Sequence, residues 1–264
     1  MNIVLIGAGN VATHLALALQ KAGHKIVQVY SITKESAQQL AKKVSSDFTT
    51  EVNQISRKTD IYIVALKDKG LGDFVKQFEA KRKIIVHTSG SVPMSIFNNQ
   101  SSIKFGVFYP LQTFSKNQTI KFNDIPVCIE ASDTKTENTL LKLASSVSKN
   151  VYLINSEQRK LLHIAAIFVN NFGNHLYTIA EDILQKENLP FEILKPLIEE
   201  TFHKIKKYSP SEMQTGPAIR GDKEVMQHHL DYLSCSPLYQ KIYKLLSDSI
   251  TKNKEVKMLN LKDP

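Results

Sequence analysis

The sequence predicts an α/β protein with two domains: a mostly parallel, doubly wound sheet in the N-terminal part and an all-helical domain after it. Three observations predict this fold class. Short β-branched runs alternate with helical patterns over the first 90 residues, a glycine-rich turn joins the first run to the first helical pattern, and only helical patterns follow residue 155. We therefore expect one domain over residues 1–155 and a second over residues 156–264.

The predicted strands are nearly continuous in apolar residues, which is typical of a parallel sheet with helices on both faces. They are residues 2–6, 25–30, 61–66, 84–87, 105–108, 127–130 and 151–154. Apolar residues at helical spacing from Val11 to Ala22 predict the first helix, and Gly23 stands where a helix C-cap favours glycine. Further helices are predicted at residues 34–44 and near residues 136–147.

A helix of about thirty residues is predicted to open the second domain, because no proline or glycine pair interrupts the chain after Ser156 until beyond Asn188. Asn155 and Ser156 are residue types that cap helix N-termini. Residues 161–172 are apolar almost all round, so we expect them to be buried on several sides, either inside this domain or against a second subunit. Proline and glycine divide the remainder into three or four helices.

The composition excludes several classes of protein. The 264 residues are 42% hydrophobic and 22% charged, a globular balance rather than that of a disordered chain. The apolar runs are too short to cross a bilayer and no secretory signal is recognised, so we expect a cytoplasmic protein without a membrane partner. The two cysteines have no metal-ligand spacing, so neither a disulfide framework nor a metal site is expected.

The formal charge of +9 is carried almost wholly by the N-terminal part. Residues 1–150 hold 19 basic and 11 acidic side chains, whereas residues 151–264 hold 15 and 14. The lysines are scattered and no basic stripe is interleaved with aromatic residues, so a nucleic-acid partner is not expected. A solvated, lysine-rich surface is the favoured interpretation, and attraction of a phosphorylated small molecule is compatible with it.

The strongest motif is the hexapeptide Gly-Ala-Gly-Asn-Val-Ala at residues 7–12, directly after the first strand and at the start of the first helix. In the dinucleotide-binding turn of a Rossmann domain, Gly7 would make the tight turn, Gly9 would let the backbone approach the pyrophosphate, and Ala12 would allow close packing of helix on strand. The predicted cofactor contacts in this turn are Gly7, Gly9, Asn10 and Val11. The alternative is a tight glycine turn in a domain that binds no nucleotide.

The end of the second strand indicates which dinucleotide is bound. NAD-binding proteins place a carboxylate there for the ribose 2′-hydroxyl, but this chain has no carboxylate before Glu35. Ser31, Thr33 and Lys34 would instead offer two hydroxyls and an ammonium to a 2′-phosphate, so NADP is favoured over NAD. The alternative for these three residues is an ordinary turn and helix cap.

Polar residues follow the later strands at their carboxyl ends, where open α/β sheets bind ligands. We expect the nicotinamide and its ribose to be bordered by Leu66, Lys67, Asp68, Thr88 and Ser89. Tyr109 and Gln112, in an aromatic segment after the next strand, are predicted to line the substrate pocket. Polar turn chemistry and plain core packing are the respective alternatives.

The long helix and a late loop supply the remaining candidates. At about 100° per residue, His163, Asn170 and Asn174 share one stripe of the helix between apolar flanks. His163 could give or take a proton near neutral pH, Asn170 could orient a carbonyl or carboxamide, and Asn174 would line the pocket. In the loop at residues 215–222, Arg220 could clamp a carboxylate or phosphate beside Thr215. The alternatives are a satisfied core histidine and an arginine that ties its loop to helix ends.

Four spaced motifs give the chain a resemblance to a known family. The turn at residues 7–12 resembles that of pyrroline-5-carboxylate reductases and of deazaflavin-linked NADP oxidoreductases. The segments His-Thr-Ser-Gly at 87–90, Tyr-Pro-Leu-Gln-Thr-Phe at 109–114, Leu-His-Ile-Ala-Ala at 162–166 and Thr-Gly-Pro at 215–217 look like those of bacterial Rossmann-like proteins. The helical half of those proteins is catalogued as a domain of unknown function, and they are often labelled NADP oxidoreductases.

The resemblance implies a Rossmann domain followed by a helical domain similar to that of 6-phosphogluconate and β-hydroxyacid dehydrogenases, commonly dimeric through those helices. Two departures matter. Many relatives have a histidine before the proline where this chain has Tyr109, so a proton donor there would be a phenol or would be absent. The β-hydroxyacid dehydrogenases use a lysine on the long helix, whereas this chain has Ile167 in that region and His163 one turn earlier, so the lysine mechanism is not transferred.

The sequence therefore predicts an NADP-dependent oxidoreductase that transfers hydride to or from the C=O or C=N carbon of a small, anionic metabolite. His163 would be the general acid, Asn170 would position the substrate and Arg220 would bind its anionic group. We expect a homodimer formed through the C-terminal helices. The alternative is a catalytically inactive NADP-binding protein with a regulatory or scaffolding role.

Overall fold

The computed structural model describes residues 1–99, 104–116, 118 and 120–260, with side chains as far as residue 253. The chain forms two compact units, Met1–Asn171 and Phe172–Pro264. The functional division at residue 155 remains a prediction, because it concerns what each part binds.

The first unit is built on one eight-stranded sheet in the order β3-β2-β1-β4-β5-β6-β7-β8. The strands are β1 (Asn2–Ile6), β2 (Lys25–Tyr30), β3 (Asp47–Thr49), β4 (Ile61–Val64), β5 (Ile84–His87), β6 (Phe105–Pro110), β7 (Val127–Ala131) and β8 (Val151–Leu153). Neighbouring strands are parallel except β6 and β7, which are antiparallel. The strand order reverses between β1 and β4, and such a reversal creates the ligand-binding crevice of a Rossmann sheet. The predicted doubly wound fold is confirmed.

Helices cover both faces of this sheet. They are α1 (Asn10–Lys21), α2 (Lys34–Lys43), α3 (Asp68–Gln77) and α4 (Thr134–Ser145). Alternate residues of β1 enter opposite cores: Ile3 and Leu5 pack in the cluster that holds Leu15 of α1, whereas Val4 packs in the cluster that holds Phe74 of α3. Burial on both faces explains why the strand sequences are continuously apolar.

Two elements of the first unit are absent from the sequence prediction. Strand β3 has only three residues and two of them are exposed, so it carries no apolar run. Helix α3 contains two glycines in its first half, and its signal is the helical spacing of the buried residues Leu71, Phe74 and Val75. The predicted strand at residues 61–66 ends at Val64, whereas the strand predicted at 105–108 continues to Pro110.

The long helix has the predicted extent but not the predicted regularity. It runs as α5 (Ser156–Ala166), a π-helical segment (Ile167–Phe172) and α6 (Gly173–Gln185). Asn155 caps α5, and Gln158 completes the capping box. Because a π turn holds more residues than an α turn, a stripe drawn at 100° per residue does not continue across residues 167–172. The assumption of a regular α-helix between His163 and Asn174, on which the predicted stripe was drawn, is therefore wrong, and the stripe itself stays a prediction.

The middle of the long helix is not buried within the described chain. Leu161 is 67% exposed and Val169 is 82% exposed. Residues 161–172 were expected to be buried either inside their own domain or against a second subunit. The first expectation is wrong for Leu161 and Val169.

After α6 the second unit contains α7 (Lys195–Ile205), α8 (Pro217–Arg220), α9 (Lys223–Tyr232) and α10 (Pro237–Asn260). Asp222 caps α9, since its carboxylate accepts a hydrogen bond from the backbone N–H of Val225. Among the residues that the structure describes, no helix is both long and apolar enough to span a membrane.

Candidate active site

The glycine-rich turn has the backbone geometry that a dinucleotide requires. Gly7 has φ +113°, and a Cβ atom there would lie 2.4 Å from the carbonyl oxygen of Ala65, so only glycine fits. Gly9 has φ −80°, and a Cβ atom there would meet nothing within 4 Å, which means that open space lies in front of its backbone. No side chain caps α1, so its first backbone N–H groups remain available to an anion. The turn therefore fits a pyrophosphate.

The exposed side chain of Asn10 makes one hydrogen bond that helps to hold this turn. Its Nδ2 donates a hydrogen bond to the carbonyl oxygen of Phe114, at 2.8 Å. This bond ties the start of α1 to the segment after β6.

A cleft of about 370 Å³ opens at the carboxyl ends of the strands. Eleven of the predicted site residues line it: Gly9, Asn10, Val11, Leu66, Lys67, Asp68, Thr88, Ser89, Tyr109, Gln112 and His163. Ala65, Gly90, Ser91 and Pro110 complete the lining. The structure thus brings together the loops that follow β1, β4, β5 and β6 with the first turns of α5.

One rim of the cleft is held by a carboxylate between two serines. The hydroxyl of Ser89 donates to Oδ1 of Asp68 at 2.8 Å, and the hydroxyl of Ser91 donates to Oδ2 of Asp68. The Ser89 oxygen also accepts the backbone N–H of Val92, at 3.1 Å. These bonds join the loop after β4 to the loop after β5.

The buried side chain of His87 supports the loop after β5 through a hydrogen bond. Its ring is fully buried, and its Nδ1 accepts the backbone N–H of Ser89 at 3.2 Å. Burial, assisted by the nearby charge of Arg159, lowers the pKa of His87 to about 3. The ring is therefore neutral at physiological pH and serves as a fixed acceptor rather than as an acid.

The cleft contains a hydrogen-bonded pair of titratable side chains, Tyr109 and His163. The hydroxyl oxygen of Tyr109 lies 3.1 Å from Nδ1 of His163, and the two rings meet edge to face. Burial raises the pKa of Tyr109 to about 12, so its phenol stays protonated. A Cβ atom at Gly90 would lie 2.7 Å from Nδ1 of His163 and 2.8 Å from Cζ of Tyr109, so only glycine leaves room for the pair.

Other predicted residues lie outside the lining of this cleft. Asn170 is exposed within the π-helical segment. Ser31, Thr33 and Lys34 follow β2, and the Thr33 side chain makes no cap hydrogen bond with α2. Gly7 of the glycine-rich turn is also not among the lining residues. Asn174, Thr215 and Arg220 belong to the second unit.

Sequence reasoning did not single out four lining residues, Ala65, Gly90, Ser91 and Pro110, nor the buried Arg159, which is not part of the lining. In the sequence Gly90 is one residue of a polar loop. Only the contact between Tyr109 and His163 shows that a side chain at position 90 would have no room. Arg159 gave no functional signal, because arginines in the first turns of a helix are usually solvated; here its side chain is 1% exposed. Its position four residues before His163 was the available clue.

Comparison with known families divides the chain in two. Residues 2–90 match the family described as NADP oxidoreductase coenzyme F420-dependent. Residues 125–250 match a domain of unknown function, DUF2520. No curated protein of known function matches this sequence.

Solved structures resemble the chain over nearly its whole length. A Bacteroides fragilis protein described as a "putative NADP oxidoreductase" is 47% identical, covers 95% of this chain and 98% of its own, and superposes with a TM-score of 0.88. An imine reductase from Myxococcus stipitatus in complex with NADP⁺ is 16% identical over 98% of this chain and 95% of its own, with a TM-score of 0.68.

A 1-pyrroline-5-carboxylate reductase from Streptococcus pyogenes is 13% identical over 96% of this chain and 98% of its own, with a TM-score of 0.63. At these low identities the two reductases establish a shared fold alone. The Bacteroides fragilis protein establishes more, since almost half of its residues are identical over nearly all of both chains. The chain belongs to the family of that protein, an NADP oxidoreductase family, and in this chain the match to the oxidoreductase domain is followed by the match to DUF2520.

Proposed function

We propose that the protein is an NADP-dependent reductase that transfers hydride to or from the C=O or C=N carbon of a small, anionic metabolite. The observation that carries the proposal is the placement of the Tyr109–His163 pair in the lining of the same cleft as the Gly9 backbone. A reductase needs a dinucleotide cradle and a proton donor side by side. NADPH, when bound, supplies the hydride.

His163 is the proposed general acid. Hydride addition to a C=O or C=N carbon leaves an oxygen or nitrogen that must take up a proton. Because Nδ1 of His163 is engaged by Tyr109, Nε2 is the nitrogen left to face a substrate. The phenol can donate to Nδ1 when the imidazole is neutral and accept from it when the imidazole is charged, so Tyr109 holds the ring in both protonation states.

NADP is proposed over NAD because of the segment after β2. Lys34 is the first residue of α2, where helices favour acidic rather than basic side chains, and a bound 2′-phosphate would account for that choice. The Thr33 hydroxyl is not consumed by capping and Ser31 precedes it. These three side chains would bind the 2′-phosphate, and NAD lacks that group.

Roles for four further residues are proposed on the sequence pattern alone. Arg220 would bind an anionic group of the substrate, Thr215 and Asn174 would line the substrate pocket, and Asn170 would orient the substrate carbonyl or the carboxamide of the nicotinamide. Arg220, Thr215, Asn174 and Asn170 are all exposed side chains, so each can be substituted without opening a cavity in the core.

A homodimer formed through the helices is proposed as the active form. The long helix exposes three apolar side chains, Leu161, Ile164 and Val169. Their burial against a second copy would gain the hydrophobic free energy that is not gained within a single chain. We also propose a cytoplasmic location, which suits an enzyme with two free cysteines, Cys128 and Cys235.

Calorimetry with NADPH and NADH, followed by NADPH oxidation assays against a panel of keto acids and cyclic imines, tests the function. We expect binding that favours NADPH and turnover that His163→Ala abolishes. Absence of binding to either dinucleotide would overturn the proposal. Tight binding without turnover, together with no effect of His163→Ala and Arg220→Ala, would instead indicate a regulatory or scaffolding protein.

A further inference from the structure

Arg159 is the bulkiest of the fully buried side chains, and the proposed chemistry does not use it. Its guanidinium forms an ion pair with Glu130 of β7. Its Nη2 donates to the carbonyl oxygen of Val92 at 2.7 Å and to the hydroxyl oxygen of Ser156 at 3.2 Å. A buried charge is costly unless it is paired, and these three contacts offset part of that cost, although Nε of Arg159 is buried without a hydrogen-bond partner among the described residues.

These contacts join three segments that each lead to the cleft. Val92 directly follows the loop that carries Ser89 and Ser91. Glu130 lies two residues from Cys128, whose register partner across the sheet is Tyr109. Ser156 begins α5 and links the other two, because its hydroxyl donates to Glu130 at 2.8 Å and accepts the backbone N–H of Met94 at 3.0 Å.

Arg159 stands one helical turn before His163 on α5. Residues four apart share a face of a helix, so the face that anchors α5 through Arg159 also carries His163 toward Tyr109. A lysine could not make the same set of contacts, since its single ammonium is a point charge whereas the two Nη atoms of arginine reach Glu130 and Val92 at once.

The buried charge also acts on the groups around it. The positive charge of Arg159 opposes the effect of burial on Tyr109 and on Cys128, whose pKa values are nevertheless raised to about 12 and about 11. The same charge adds to burial at His87 and lowers the pKa of that ring. Arg159 thus lies within electrostatic reach of both the phenol of the proposed proton-donating pair and the ring that shapes the neighbouring loop.

We infer that Arg159 is a positioning residue: through Glu130, Ser156 and Val92 it fixes α5 against the sheet so that His163 meets the hydroxyl of Tyr109. This inference rests on the proposed function for its effect on turnover. None of the contacts of Arg159 described above involves the Gly7–Gly9 turn, and its one contact near the predicted nicotinamide loop is with the backbone of Val92. The loss of Arg159 is therefore expected to slow proton transfer more than it weakens cofactor binding.

The test compares Arg159→Lys with Lys160→Gln in the full chain. Arg159→Lys keeps the charge but removes the fork, whereas Lys160→Gln removes a charge from the next residue, which is exposed. The measurements are kcat and KM, the pH profile of kcat, NADPH affinity by calorimetry, and a nitrogen NMR titration of the His163 ring. For Arg159→Lys we expect kcat to fall at least about tenfold, the pH profile of kcat and the His163 titration to change, and the NADPH Kd to rise by a clearly smaller factor than kcat falls. Lys160→Gln is expected to change none of these.

An Arg159→Lys protein that folds and keeps both kcat and the His163 titration would overturn the inference. Loss of NADPH affinity in proportion to kcat would also overturn it, because that result indicates general damage. If Arg159→Lys does not fold, the same measurements are made on the double variant Arg159→Met/Glu130→Met, in which apolar side chains replace the ion pair. A wild-type protein that reduces no substrate defeats the proposed function alone, because the NMR titration needs no turnover.

Discussion

The hydroxyl oxygen of Tyr109 at the end of β6 lies 3.1 Å from Nδ1 of His163 on α5. Fifty-four residues separate the two along the chain. Gly90, from a third segment, leaves the space in which they meet. Three parts of the sequence therefore converge on one proton-transfer geometry.

Removal of either member of this pair should slow turnover without loss of the fold. We expect His163→Gln to lower kcat by about a hundredfold or more, and Tyr109→Phe, which keeps the ring, to lower it by about tenfold or more. Because the two side chains act as a unit, the double variant should be little slower than His163→Gln. Steady-state kinetics measure all three, and multiplicative losses in the double variant would show that the residues act independently.

The two glycines of the dinucleotide turn should respond differently to alanine. Gly7→Ala places a Cβ atom 2.4 Å from a backbone oxygen at positive φ, and we expect it to lower the free energy of unfolding by about 3 kcal/mol or to prevent folding. Gly9→Ala meets no protein atom within 4 Å, so stability should change by less than about 0.5 kcal/mol.

The same Gly9→Ala variant should bind NADPH at least about tenfold more weakly, because its methyl group occupies the approach of the pyrophosphate. Denaturant unfolding and calorimetry separate the two effects. Unchanged NADPH affinity in Gly9→Ala would contradict the placement of the pyrophosphate at this turn.

The side chain of Lys34 should determine the preference for NADPH over NADH. Lys34→Ala removes the ammonium proposed for the 2′-phosphate, so we expect KM for NADPH to rise about tenfold while KM for NADH stays unchanged. Lys42→Ala, which removes an exposed lysine from the other end of the same helix, is the matched control. An equal change for both dinucleotides would place the 2′-phosphate elsewhere.

The buried His87 should make the folded state sensitive to acid. Its pKa is about 3 in the folded protein against 6.5 for the free side chain, so between these values the unfolded chain binds the extra proton. Stability is therefore fully present above about pH 6.5 and falls as pH decreases, by at most about 1.4 kcal/mol per pH unit from this group.

In His87→Gln this contribution disappears. The free energy of unfolding, measured with denaturant at several pH values between neutral and mildly acidic, should decline less steeply than in the wild type. Equal slopes in the two proteins would mean that His87 is not held neutral in the fold.

The exposed apolar side chains of the long helix should mediate self-association. Light scattering of the wild-type protein is expected to give the mass of a dimer, and Val169→Asp is expected to halve it, since a carboxylate would be buried in the interface. Leu17→Asp introduces the same charge at an exposed apolar position of α1 and should leave the dimer intact. A monomeric wild type would refute this assembly.

The sequence alone determined the sheet, the glycine turn and the position of the long helix, because strands buried on both faces and helices with one buried face leave a period that can be read locally. The sequence pattern did not predict β3, which has only three residues, or α3, whose glycines obscure the helical spacing of its apolar residues. The pattern also predicted a regular α-helix through residues 167–172, where the π-helical segment changes the angle between successive side chains.

Tertiary structure alone decided which chemistry-bearing residues meet. Local patterns identified Tyr109 and His163 as separate candidates, but their hydrogen bond depends on how β6 and α5 pack. The space at Gly90 and the burial of Arg159 are likewise properties of contacts between distant segments, which no window of sequence contains. The sequence could name the groups available for chemistry, whereas only long-range packing could set the distances between them.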